Sequence, residues 1–209
     1  MITRSAPRGA ELPLGFDGAS AGVKDIGQVK IWYDVNGMKD LAIVYTDGTE
    51  TGPYGFGKVP ANKVSDTFIL APGEFITNIF VWNNPTAIKA LQLVKNTYEV
   101  SQRYGDSTDA NWPTLWKEGG SALVGMSGSY DANWLTQLQP VWRSDVKANN
   151  HRDFELTYIN NGNTKQFGQA AGTEFVQDPP SKGMVLCFFI GSCGGYIQSL
   201  ILAWGPPPE

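Results

Sequence analysis

Gly183-Met-Val-Leu-Cys-Phe-Phe-Ile-Gly191-Ser-Cys-Gly-Gly-Tyr196-Ile-Gln-Ser-Leu-Ile-Leu-Ala-Trp204-Gly205 reads as two apolar strands joined by a short, glycine-dense turn. The strands, expected over Met184 to Ile190 and Tyr196 to Trp204, are rich in β-branched and aromatic residues. Gly191, Gly194 and Gly195 allow the intervening turn backbone angles closed to other residues. A hairpin this apolar must be covered on at least one face. Its tip, left in water, presents backbone amides beside Tyr196 and Gln198, an arrangement better suited to a neutral polyhydroxylated ligand than to a charged one.

The same form recurs upstream. Val29 to Val35 alternates apolar and polar, turns at Asn36-Gly37 and returns from Leu41 to Thr46; an Asn-Gly pair between alternating runs is a strong short-range hairpin signal. Phe68 to Trp82 leads through Asn83-Asn84-Pro85 to Ile88–Val94, and Ala122 to Tyr130 leads through Asp131–Trp134 to Leu135–Trp142. A fourth run, Asp153 to Ile159, turns at Asn160–Gly162 and feeds the C-terminal hairpin. Aromatic-Gly endings repeat at Tyr54-Gly55, Tyr104-Gly105 and Phe167-Gly168, Gly-Ser recurs at Gly128-Ser129 and Gly191-Ser192, and Asp-Ala-Asn-Trp occurs at 109–112 and 131–134. No window carries a helical period. Repeated strand–turn–strand units of this kind imply an all-β protein with pseudo-symmetric sheets wrapped around one core. Lys147 to Arg152 is read as a loop rather than an interdomain linker.

Composition agrees: 209 residues with 24 Gly and 13 Pro, 12% aromatic and only 17% charged, suit a β-rich chain with one substantial core. The net charge of −4 is spread without runs, so nothing attracts nucleic acid or an anionic membrane surface. No apolar run approaches the roughly 20 residues of a membrane helix, and membrane insertion is not expected. The opening Met1-Ile-Thr-Arg-Ser-Ala-Pro-Arg-Gly lacks a hydrophobic signal-peptide region, which points to a cytoplasmic protein or one released without a signal peptide. Cys187 and Cys193 are read as free thiols, Cys187 as a small core residue sharing a strand face with Val185 and Phe189. With a single histidine, His151, a poly-His or Cys/His zinc site cannot be assembled, and no metal or cofactor is expected.

At this point the chain resembles the jacalin-related lectins. Phe16-Asp17-Gly18 followed by Ile26–Ile31 is similar to that family's opening strands, and Ala71-Pro-Gly-Glu-Phe-Ile-Thr-Asn-Ile to its central strand. Leu91–Tyr98 and Leu156–Asn161 resemble the strand before its aromatic-Gly turn, and Gly172–Phe175 with Gly183–Trp204 its closing element. The resemblance implies a β-prism of three antiparallel Greek-key sheets with pseudo-threefold symmetry. It covers most of the chain, which exceeds a typical prism by roughly a third and offers two candidates for the one closing hairpin the family needs, Ala122–Trp142 and Met184–Trp204. Either the prism is elaborated or a complete prism carries a partial second unit; residues 1–209 are expected to form one elaborated prism with an extra unit within about 119–168, because the extra residues are too few to bury a separate core. Members of the family bind sugars through a terminal-hairpin G-x-x-x-D, whose carboxylate accepts from sugar hydroxyls. The matching stretch here, Gly194-Gly-Tyr-Ile-Gln198, ends in a neutral amide. In the upstream hairpin, Thr136 falls near the acidic position.

The candidate carbohydrate-binding residues follow from that comparison and from the chemistry of the tips, each with a structural alternative. Gly194, Gly195, Tyr196 and Gln198 form one set, or else a tight turn with a packed tyrosine. Trp82 and Asn83 form a second, or else a turn with Trp82 in the core. Asp131, Asn133 and Trp134 place a carboxylate, an amide and an indole together, or else form a surface loop whose indole packs inward. Asp17 abuts the terminal hairpin or makes a structural Asx turn. An enzyme is not expected, because one histidine and no Gly-x-Ser-x-Gly elbow or phosphate loop leave few catalytic schemes; a glycosidase carboxylate pair stays open. The resemblance implies a non-catalytic, metal-independent lectin whose partners are glycans or glycoproteins, with exposed alternating edges suited to a homodimer. The rivals are an interaction protein, or the recognition module of a toxin, on the same scaffold without sugar binding.

Overall fold

Strict alternation over Val29–Val35 requires one face of that strand to be covered, and the structure shows what covers it. A computed structural model describes residues 1–54, 64–106, 113–148, 155–159, 179–193 and 197–207. The chain divides into two compact units, Met1–His151 and Arg152–Glu209.

The first unit contains three antiparallel sheets, each built on one long hairpin. The first hairpin pairs β4 (Ile26–Asp34) with β5 (Gly37–Tyr45), flanked by β6 (Glu50–Thr51) and β7 (Val64–Ile69) in the order β6-β5-β4-β7. The second pairs β8 (Ile76–Asn83) with β9 (Ile88–Lys95), flanked by β10 (Tyr104–Gly105) and β11 (Thr114–Lys117) in the order β10-β9-β8-β11. The third pairs β12 (Ser121–Tyr130) with β13 (Leu135–Lys147), and N-terminal strands complete it: β1 (Ile2–Arg4) and β2 (Arg8–Gly9) lie on β13, and β3 (Gly15–Phe16) on β12. The internal repeat extends to the irregularities. Register shifts fall between Ile26 and Gln28 and between Trp32 and Tyr33 in the first sheet, and at Ile76/Asn78 and Trp82/Asn83 in the second. A bulge at the same place in each hairpin increases local twist, which suits sheets that must curve around a common axis.

All three hairpins deliver apolar side chains to a single core. Ile31, Leu41 and Ile43 come from the first, Ile79, Val81, Leu91 and Leu93 from the second, and Met126, Leu135, Leu138 and Trp142 from the third. Three antiparallel sheets facing one core make the expected all-β prism. The tips share a device as well. Asp34 Oδ1 accepts from the Asn36 amide at 2.7 Å, Asn84 Oδ1 from the Thr86 and Ala87 amides at 2.9 and 2.7 Å, and Asp131 Oδ1 from the Asn133 and Trp134 amides at 2.6 and 2.8 Å. A short side-chain acceptor thus fixes each turn.

The second unit holds a three-stranded sheet, β14 (Glu155–Ile159), β16 (Ile197–Gly205) and β15 (Val185–Cys193), in the order β14-β16-β15. The hairpin that completes the three-sheet set of the first unit is therefore β12/β13, whereas the Met184–Trp204 hairpin, expected as the closing element, pairs with β14. Both hairpins are apolar and glycine-bearing, and composition alone does not rank them; the N-terminal strands pair with β12 and β13. Gly191 lies within β15 opposite Leu200 rather than in the turn. A register shift between Leu186 and Phe188 breaks the alternation assumed for Cys187. Cys187 is a half-buried free thiol rather than a core residue, and Phe189 is exposed. Lys147, assigned from sequence to a loop, still belongs to β13. His151, Gly55, Phe167-Gly168 and the first Asp-Ala-Asn-Trp lie outside the described residues.

Candidate functional site

The three hairpin tips of the first unit meet at one end of the prism. Gly37, at φ +146°, opens β5 where a side chain would lie 3.0 Å from the Ile88 carbonyl and 3.5 Å from Cζ3 of Trp134. One residue from each hairpin is thus in close approach. Lys39 Nζ stands 3.0 Å from the centroid of the Trp134 ring and 3.1 Å from Asp34. Lys89 donates to the Asn36 carbonyl, pairs with Asp106 at 3.6 Å and lies 5.9 Å from the same indole. Both lysines are largely shielded, so their carboxylate partners and the electron-rich ring offset the cost of partial burial. The end of the prism is therefore closed by charge pairs that cancel, with Trp134 as the central plate.

Of the residues singled out from sequence, Asp131, Asn133 and Trp134 are brought together here. The loop leaves Asn133 exposed and Asp131 and Trp134 half-buried. Asp131 Oδ1 is committed to the turn, where it accepts from the Asn133 and Trp134 backbone amides, while Oδ2 and the Asn133 side-chain amide make no hydrogen bond among the described residues. One face of Trp134 is occupied by Lys39. Beside the loop, Tyr130 lies 6.4 Å from Phe16, which stacks on Tyr54 at 4.0 Å with an interplanar angle of 9°. An acceptor, a donor and aromatic faces thus share one end.

The other candidates are placed differently. Trp82 is 2% exposed, and the Arg103 guanidinium covers its ring at 4.1 Å, so it is a packed side chain and not a contacting aromatic. Asn83 is half-buried and donates to the Asn84 carbonyl at 3.3 Å, within its own turn. Asp17 is a structural acceptor. Its Oδ1 takes bonds from Arg4 Nη2 at 2.8 Å, the Ala19 amide at 2.9 Å and Ser127 Oγ at 2.9 Å. The Arg4 hydrogen bond and then the Ala19 amide hold the Asp17 carboxyl below its ordinary pKa. Gly194, Gly195 and Tyr196 lie outside the described residues; Gln198 is placed in β16 by its backbone, and its side chain lies outside them.

Thr136, near the acidic position of the resemblance, is 1% exposed and shares a 3.1 Å hydrogen bond with Ser129. Sequence reasoning missed Lys39, Lys89, Asp34 and Asp106. Their one sequence signal is adjacency to turns: Asp34 and Lys39 flank Asn36-Gly37, and Lys89 follows the Asn83–Ala87 turn. Among the described residues, no group of three or more His, Cys, Asp and Glu is placed to hold a metal ion.

A family model, the jacalin-like lectin domain, matches residues 12–140. No curated protein matches the chain in sequence. Solved structures with this fold include wild-type Malaysian banana lectin, 16% identical, covering 68% of this chain and 99% of its own, with a TM-score of 0.56. Frutalin from Artocarpus incisa is 16% identical over 68% of this chain and 96% of its own, with a TM-score of 0.57. AcmJRL, a mannose-binding jacalin-related lectin from Ananas comosus, is 15% identical over 68% of this chain and 96% of its own, with a TM-score of 0.55. At such identities the structures speak for the fold, and nearly the whole of each is spanned. The matched residues 12–140 contain all three long hairpins up to the middle of β13 and make up more than half of the 209 residues, and on that match the chain belongs to the jacalin-like lectin domain family, a family of carbohydrate-binding lectins.

Proposed function

We propose that the first unit binds neutral glycans, without catalysis and without a metal, at the end of the prism where the Asp131–Trp134 loop meets the other two hairpin tips. The observation that carries this reading is the free hydrogen-bonding capacity of that loop: one carboxylate oxygen and one amide beside half-buried aromatic rings. A sugar hydroxyl both donates and accepts, and its C–H face suits an aromatic ring, so this combination serves a polyol. Neutrality is supported by the pairing of Lys39 with Asp34 and of Lys89 with Asp106, which balances the charge of both lysines that flank Trp134. Mannose, which the Ananas comosus neighbour binds, is the first sugar to test. A shallow site of this kind gives weak monosaccharide affinity, and a homodimer would raise it through avidity toward glycoproteins. The Gly194–Gln198 tip remains a second proposed location.

A glycan array on purified protein, with and without chelator, tests the reading. Binding should survive chelator. Asp131→Asn keeps the Oδ1 acceptor that holds the turn, and together with Asn133→Ala should reduce binding at least tenfold without lowering the melting temperature appreciably. Absence of binding to every glycan would favour the interaction-protein reading, which draws support from the buried Thr136 near the position where the family carries a carboxylate.

A further inference from the structure

The chain's first 18 residues border the β12/β13 hairpin on both edges. Strands β1 and β2 run along β13, with Ile2 opposite Arg143 and Gly9 opposite Gln137; β3 runs along β12, with Phe16 opposite Gly128. Between them, residues 10–14 cross the hairpin beside its tip. The crossing is tied down at one hydroxyl. Ser129 Oγ donates to the Ala10 carbonyl at 3.0 Å and accepts from the Leu12 amide at 3.1 Å, and it lies 3.1 Å from Thr136 Oγ1. The Ala10 amide donates to the Thr136 carbonyl at 2.8 Å, and the Tyr130 amide to the Leu14 carbonyl at 3.0 Å. Ser129 and Thr136 are only 2% and 1% exposed, so the crossing segment closes off the polar groups nearest the Asp131 loop.

What holds the crossing is polar rather than apolar. Glu11, Pro13 and Leu14 are exposed, Leu14 by 56%, so the segment contributes little buried hydrophobic surface at the tip. Across the same face of the hairpin, Arg4 reaches from the β13 edge to the β12 edge: Nη1 donates to Ser127 Oγ at 2.6 Å and Nη2 to Asp17 at 2.8 Å. This ion pair is open to water, with side-chain exposures of 37% and 56%, and exposed pairs of that kind open readily.

We propose that residues 10–14 are a strap that occupies a polyol cradle formed by Ser129 and Thr136, latched by the Arg4–Asp17 pair, and that a glycan reaching the hairpin tip must displace it. The inference rests on the carbohydrate reading above and adds regulation of that site. The strap's own chemistry identifies the ligand class. Ser129 Oγ gives one bond and takes one, and the Thr136 carbonyl takes one; two adjacent sugar hydroxyls replace these one for one. A charged group would find no counterion in the cradle. The incoming ligand is a neutral sugar with vicinal hydroxyls, bridging the cradle and the Asp131–Asn133 loop.

Arg4→Gln and Asp17→Asn each open the latch without touching Ser129, Thr136 or the Asp131 loop. Two measurements on the full chain test the proposal: amide hydrogen exchange across residues 9–16, and binding to polymers displaying mannose, galactose or N-acetylglucosamine. In both variants, with circular dichroism unchanged, exchange should quicken and affinity for at least one polymer should rise threefold or more. The charge-swapped double variant Arg4→Asp with Asp17→Arg should return both readings toward wild type. If wild type binds a polymer and the variants bind no better, the strap is structural and this inference alone is overturned. Unchanged exchange in both variants overturns it too, since Arg4–Asp17 would then hold nothing. If neither wild type nor any variant binds a polymer, the carbohydrate reading falls with it.

Discussion

The Asp17 carboxylate accepts from Arg4, Ala19 and Ser127, and the Arg4 bond leads the causes that lower its pKa. A folded-state pKa below the unfolded one stabilises the fold above the unfolded value of about 3.9, and the contribution disappears as pH falls through the lower folded value. Because more than half of the side chain is exposed (56%), screening limits the effect to roughly 0.2–1 kcal/mol. Asp17→Asn retains an acceptor for the Ala19 amide and removes the charge. Chemical denaturation at pH 7 should therefore show a loss of less than about 1 kcal/mol, and the gap between wild type and variant should close once the pH drops below the ordinary carboxylate range. A gap that persists unchanged at pH 2 would mean that charge plays no part. At this scale the sequence was readable only in outline. It marked Asp17 as a possible Asx-turn residue, which it is, but not the partnership with Arg4 and Ser127, because Ser127 lies 110 residues away and no local pattern encodes so long a contact.

Among the elements, the long hairpins were legible because each carries its own turn chemistry: Asn36-Gly37, Asn83-Asn84-Pro85 and Asp131–Trp134 all sit between apolar runs. The two-residue strands β2, β3, β6 and β10 were not, since a pair of residues has no period and owes its conformation to the neighbour it lies beside. Trp82 stays open in the sequence between a ligand contact and a core side chain, because an aromatic at a turn has the same sequence appearance whether it faces water or lies under Arg103, where the structure places it. The attachment of β3 to β12 depends on a backbone contact that sequence does not announce. Gly18 and Gly125 meet with no room between them, so that a Cβ on Gly125 would intrude on the Gly18 carbonyl. Gly125→Ala must push the segment before β4 away from β12 and disturb the Gly18 amide's bond to Ser127 Oγ, 3.2 Å long. Overpacking against a backbone that cannot yield costs about 1–3 kcal/mol. The expected result is a lower denaturant midpoint with an unchanged slope; retention of wild-type stability would show that β3 is free to shift.

For the whole molecule, composition and repeated hairpins imply pseudo-symmetric sheets about one core, and their number, three, comes from the lectin resemblance; neither decides which of two similar hairpins closes the set. That choice is made by long-range pairing, in which β1, β2 and β3 flank β12 and β13 and leave the Val185–Gly205 ribbon to β14. The core residues gathered from all three sheets lie within Met1–His151, and the lectin-domain match ends at residue 140. A unit with its own core is expected to fold as a unit. A chain ending at His151 should therefore unfold in a single cooperative transition, with coincident fluorescence and circular dichroism curves, and should bind whichever glycans the full chain binds. Binding through Asp131 and Asn133 predicts that affinity per site survives the truncation. If the shortened chain folds but has lost all glycan binding, the site belongs to the residues after His151, and the Gly194–Gln198 tip becomes the place to look.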